Sequence, residues 1–232
     1  MRKRNNMKRI IIFIIVLVSI SIIGLYAKRR FYDPRHRLSL VDKQIAKLVN
    51  NDELKEGDII FQTSLSRQSK AIQIATHSEF SHCGLIYKKE NEYFVFEAVE
   101  PVKLTPLNKW IARGQDGHFV TKRLADADKV LTDSTIHKLK VIEDKFKNKH
   151  YDIYFEWSDD RIYCSELIWK VYKEATGLEV GKLQKLKDFD LTSDAVKAKM
   201  KERYGDKIPL EEIVISPSSI YNSELLKTVI TK

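Results

Sequence analysis

Three residues of the 232 have types and spacings that suit nucleophilic catalysis: Cys164, His82 and Glu97. Cys164 lies in Arg161-Ile162-Tyr163-Cys164-Ser165-Glu166-Leu167-Ile168-Trp169, at the predicted start of a helix. A helix N-terminus presents unpaired N–H groups and about half a positive charge, which stabilises a thiolate. Asp159 and Asp160 push the other way, so a base must take the proton. His82 opens a strand pattern, His82–Tyr87, followed by a second, Tyr93–Val99. A four-residue loop, Lys88-Lys89-Glu90-Asn91, sets Tyr87 opposite Glu92 and therefore His82 opposite Glu97. Directly opposed residues share a face, with Cβ atoms roughly 4.5–5.5 Å apart. A carboxylate there holds one imidazole nitrogen and leaves the other free as a base. Each part also has an ordinary reading: a cysteine at a helix start is often core filler, and a His–Glu pair is often a cross-strand contact. Together they form a set of nucleophile, base and orienter.

Neighbouring residues are read against that set. Cys83 alternates to the face opposite His82 and reads as a small core residue. Glu100 falls opposite Glu79 in the same register, away from the imidazole. His77, His118, His137 and His150 are scattered without HxxxH or CxxC spacing, so neither a metal nor a cofactor is expected. Tyr151, Phe155 and Trp157 precede the Cys164 helix and suit either a pocket wall or core packing.

The elements that must position these residues follow from periodicity. Helical spacing runs through Arg35 to Asn51, Ser66 to His77, Ser134–Lys147, Tyr163–Thr176 with Gly177 as its stop, and Asp194–Tyr204. Besides the two strands already named, Ile59-Ile60-Phe61, Phe119–Leu124 and Ile213-Val214-Ile215 read as strands. Strands cluster early and helices late, which predicts an α+β fold.

Charge divides the chain in two. Residues 1–37 carry ten Lys and Arg against the single acid Asp33, and residues 38–232 carry 31 of each sign. The excess of +9 therefore lies outside the expected folded body, which argues against a nucleic-acid surface. It flanks an uncharged apolar run, Ile10 to Ala27. Eighteen helical residues span about 27 Å, close to a bilayer core. The expectation is an N-terminal transmembrane anchor (1–37) attaching a hydrolase domain (38–232) to the cell membrane. Five basic residues in the first nine orient the domain to the outer, periplasmic or extracellular side. A secreted protein after signal cleavage is the alternative.

Several blocks in order also carry a family resemblance. They are Gly57-Asp58-Ile59-Ile60-Phe61, Gln68-Ser69-x-Ala71-Ile72, Ala75-Thr76-His77-Ser78 and Ser81-His82-Cys83-Gly84. Tyr151-Asp152, Phe155, Trp157 and Tyr163-Cys164-Ser165-Glu166-Leu167 follow. Over about residues 54–222 the chain resembles the YiiX/YebB-type permuted papain-like hydrolases, relatives of the NlpC-type cell-wall amidases. The resemblance implies a circularly permuted papain-like fold, with a central antiparallel sheet and a nucleophile-bearing helix. It places the nucleophile on Cys164 and the base on His82 and implies a third, polar member, which the hairpin register alone assigns to Glu97 rather than Glu100; Cys83 stands where an aliphatic residue is expected. It implies thiol amidase or peptidase chemistry through an acyl-enzyme, on cell-wall peptides or related small peptides. Hydrolysis or transfer of lipid acyl chains by the same triad, as in the lecithin retinol acyltransferase branch, is the second reading. A non-catalytic binding module is the third.

Overall fold

The computed structural model describes residues 14–25 and 33–232, in two compact units, residues 1–44 and 45–232. In the first unit, residues 14–25 form a helix, α1, whose apolar side chains are exposed. The remainder of the apolar run from Ile10 to Ala27, with its basic flanks, lies outside the described residues. Among the described residues no helix is long and apolar enough to cross a membrane. Helix α2 (Asp33–Asn50) continues across the division between the units.

The second unit is built on β1 (Ile59–Gln62), α3 (Ser69–Thr76), β2 (His82–Lys89), β3 (Glu92–Glu97), β4 (Lys103–Pro106), α4 (Leu107–Arg113) and β5 (Val120–Leu124). Then come α5 (Ala127–Val130), α6 (Asp133–Phe146), β6 (His150–Tyr151), β7 (Arg161–Ile162) and α7 (Cys164–Thr176). The chain finishes with β8 (Gln184–Lys185), α8 (Asp194–Tyr204), β9 (Ile213–Val214), α9 (Pro217–Tyr221) and β10 (Leu226–Thr231). Six strands form one antiparallel sheet in the order β10-β5-β1-β2-β3-β4. The α+β expectation holds, and the long helices fall within a few residues of their predicted ends.

Both faces of the central strands are covered, and that placement builds the site. Along β2, Cys83, Leu85 and Tyr87 enter one core with Phe61, Phe96 and the α7 residues Leu167, Ile168 and Val171. His82, Gly84 and Ile86 alternate to the other face, shared with Ile60 and Val95 of the neighbouring strands. Trp110 of α4 covers that second face, stacking on His82 with ring centroids 6.0 Å apart. Gly177 ends α7 at φ 78°, in the left-handed region that glycine enters without cost. Two elements next to the site, β4 and α4, escape the periodicity reading because each is shorter than two helical turns.

Candidate active site

His82 is the first residue of β2, and its partner on β3 comes from an unexpected register. The hairpin closes through two residues, Glu90 and Asn91, with Glu90 at φ 54°. Leu85 faces Phe96, Tyr87 faces Phe94 and Lys89 faces Glu92. The expected pairing of Tyr87 with Glu92, and hence of His82 directly with Glu97, is therefore displaced by two residues. A two-residue shift leaves every side chain on its own face, because the strand period is two. Glu97 thus stays on the imidazole face, one step beyond the ladder and beside Gly84. A Cβ on Gly84 would stand 2.2 Å from Val95 Cγ1 and 3.5 Å from Glu97 Cβ, so the missing side chain lets the strands close there. His82 Nε2 lies 2.6 Å from Glu97 Oε2.

Glu97 is fully buried and its carboxylate is saturated with donors. Thr105 Oγ1 donates to Oε1 at 2.6 Å, Trp110 Nε1 donates to Oε2 at 2.9 Å, and the Arg113 guanidinium also donates to Oε2. Burial favours the neutral acid, but His82 and Arg113 outweigh it and hold the carboxyl down at about 2. Sequence reasoning missed Thr105, Trp110 and Arg113. The available signal was Trp110 and Arg113 three apart, a spacing that shares a helix face once a helix is recognised. Glu100 is elsewhere: it is exposed and pairs with His150 Nδ1 at 2.7 Å.

Cys164 is the first residue of α7, as expected, and the residue is 3% exposed. The thiol and N–H of Cys83 and the His82 imidazole are the groups that act on its side chain. These contacts, the Cys83 thiol first, hold Cys164 well below the ordinary thiol range, although burial opposes them. Burial and the neighbouring Cys164 push Cys83 the other way, far up. Cys83 is buried, as expected of a core residue, yet it also touches the nucleophile, a contact that strand alternation did not foresee. Burial lowers His82, but its bonds to Cys164 and Glu97 prevail and raise it to about 9. With Nε2 on Glu97, Nδ1 is the nitrogen left for Cys164. The resting pair is therefore thiolate and imidazolium. Two residues along, Glu166 lies 2.8 Å from Lys170 Nζ, and burial lifts its carboxyl to about 8 against that pull.

Beside Cys164 opens a cleft. Its walls include Ile72, Leu186, Phe189, Val196, Met200 and Ile215. Tyr151 and Phe155 line it too, whereas Trp157 packs edge-on to Trp169 at 5.4 Å. Gln68 Nε2 donates to Tyr151 Oη at 2.8 Å, and Arg203 donates to Gln68 Oε1. Because Gln68 occupies the phenol oxygen as a donor, the Tyr151 O–H is left to donate elsewhere. Burial and the charge on Cys164 keep that phenol protonated. Tyr151 is thus a second polar group lining the cleft beside Cys164, where sequence reasoning offered only a pocket wall or core packing. His77 pairs with Asp190 and His118 with Glu79, both apart from the site.

Residues 53–230 match the family described as permuted papain-like amidase enzyme, YaeF/YiiX, C92 family. A relative in Escherichia coli K12, the uncharacterized protein YiiX, is 51% identical over 173 residues, 75% of this chain and 84% of that protein. A crystal structure titled metalloprotein yiiX, from Escherichia coli O157:H7, superposes with a TM-score of 0.75 at 49% identity. It covers 78% of this chain and 98% of the other. Among the described residues no three His, Cys, Asp or Glu side chains gather as possible metal ligands. In papain the nucleophile helix precedes the histidine strand, and here β2 comes 82 positions before Cys164, the order expected after permutation. The chain belongs to the permuted papain-like amidases of the YaeF/YiiX family.

Proposed function

We propose that the protein is a cysteine amidase that cleaves its substrate through an acyl-enzyme on Cys164. The observation that supports this most is the Cys164–His82–Glu97 line, with Glu97 buried and ionised behind the imidazole. The thiolate attacks the amide carbonyl, and His82 Nδ1 gives its proton to the leaving nitrogen. Water then attacks the thioester, with the neutral imidazole taking its proton, and the acid departs. Backbone N–H groups at the start of α7 and the Tyr151 O–H are the donors for the oxyanion. Preorganised donors of this kind are worth about 3–4 kcal/mol of barrier each.

The cleft bears on the substrate. Its predominantly apolar wall favours an apolar acyl group next to the scissile bond, so the substrate class we favour is an amide of a hydrophobic acid. Lipid esters, cleaved or transferred by the same residues, fit that wall as well. Cell-wall or other small peptides are the other reading, favoured by Lys199 and Arg203, which line the same cleft and offer partners for a peptide carboxylate. Incubation of the purified protein with N-acyl amino acids, phospholipids and wall-derived peptides, read by mass spectrometry, separates them. Cys164→Ala must abolish every product. Release of wall peptides alone would overturn the apolar-acyl reading. The basic and apolar N-terminus supports attachment to the cell membrane with the second unit outside, also a proposal.

A further inference from the structure

The Arg113 guanidinium stands where an aid to an imidazolium would not be expected. It donates to Glu97 Oε2, the oxygen that also takes His82 Nε2, and its Nη2 lies 3.4 Å from that nitrogen. A cation so placed repels imidazolium and takes a share of the carboxylate charge that stabilises it. Glu97 does not need it for satisfaction, since His82, Trp110 and Thr105 already supply three donors. Nor is Arg113 core filler, for its side chain is 39% exposed at the end of α4.

The charges that face His82 are Glu97 from β3, Cys164 from α7 and Arg113 from α4, with the Cys83 thiol next to it on β2. In the resting site two anions hold the imidazolium. Acylation removes one of them, because the sulfur becomes a neutral thioester. His82 has by then given its proton to the leaving nitrogen and must stay neutral to take one from water, while Glu97 still favours its reprotonation. We propose that Arg113 is a positioning residue that offsets Glu97, so that His82 turns from acid to base once Cys164 is acylated. The proposal rests on the acyl-enzyme reading above, but its test does not.

The test is an NMR titration of the His82 imidazole in the Cys164→Ala protein, which carries no thiolate and needs no substrate. Relative to that background, Arg113→Gln should move the His82 midpoint upward by about one pH unit, and Arg113→Met should do the same. Arg113→Lys, which keeps the charge, should stay near the background value. A merely structural role predicts the opposite sign, because a loosened Glu97 would let the midpoint fall. An unchanged or lowered midpoint in the neutral variants overturns the proposal. So does loss of the fold in both, since Arg113 would then serve stability. If a substrate is in hand, Arg113→Gln with Cys164 intact should slow deacylation about tenfold at neutral pH and spare acylation.

Discussion

Replacing Glu97 by Gln keeps the volume and removes only the charge. The consequence can be worked from the site. Burial pulls His82 down, yet Cys164 and Glu97 hold it at about 9 against an ordinary 6.5, a net of roughly 3 kcal/mol. Cys164 and Glu97 raise it against the pull of burial, and removing the Glu97 charge should lower it by about one pH unit, on the order of 1–2 kcal/mol. The sign runs the same way at both ends of the ion-pair window. Without the carboxylate the imidazolium is less stable, so the upper limit falls from about 9 toward about 8. A weaker imidazolium also supports the thiolate less, so the lower limit rises by about one pH unit. The window therefore narrows from both sides, and kcat should fall roughly twentyfold with KM little changed. Iodoacetamide alkylation of Cys164 against pH, followed by mass spectrometry, reads both limits without a substrate. If both limits stay where they are in the unaltered protein, Glu97 does not act through its charge and the third role must pass to another group.

Cys83, buried and with its thiol pushed far up, should resist alkylation until the protein unfolds, and Cys83→Ala should raise the alkylation midpoint of Cys164; a Cys83 that reacts first would refute this. Tyr151→Phe keeps the wall and removes the free O–H, so kcat should drop about 100-fold with KM within about twofold, a result that steady-state kinetics would contradict if both constants were unchanged. Glu97 has a folded pKa of about 2 against 4.5, so it contributes about 3 kcal/mol above pH 4.5 that is lost as pH falls toward 2. Denaturant melts of Glu97→Gln should accordingly show less pH dependence between those values than the unaltered protein. Full-length protein should remain with membranes after a high-salt wash, and release by salt alone would remove the anchor proposal.

The hairpin explains what could be read beforehand and what could not. Strand alternation put Glu97 on the imidazole face from an incorrect loop, because a slip of two preserves the face and only a slip of one would have lost it. The slip itself was invisible: Glu90 adopts a positive φ, and the two-residue turn lacks the Asn-Gly or Asp-Gly pair that announces such turns. Helix α4 was missed because seven residues following a short strand show too little periodicity, and with it went Trp110 and Arg113. Strand β10 was missed for a different reason. Its partner β5 lies about a hundred residues earlier, and a register shift between Thr228 and Ile230 interrupts its pairing. The meeting of Cys83 with Cys164 depends on where α7 lies on the sheet, which no local pattern encodes.

The reversed order of base and nucleophile divides the working parts between two consecutive lengths of chain. His82, Glu97, Trp110 and Arg113 all precede β5, whereas Tyr151, Cys164 and the cleft residues of α8 all follow α6. A break between α5 and α6, near Leu131 and Thr132, would leave an amino-terminal piece with the imidazole but without the Cys164 nucleophile. The carboxyl-terminal piece would hold the thiol with nothing to ionise it. The two pieces share a seam of backbone pairing, β10 along β5 and Phe119 with Lys232, and α7 lies across β2. Mixing separately made halves should thus restore a reactive thiol only when both are present, and the same scaffold becomes a reporter of whatever brings two fused partners together.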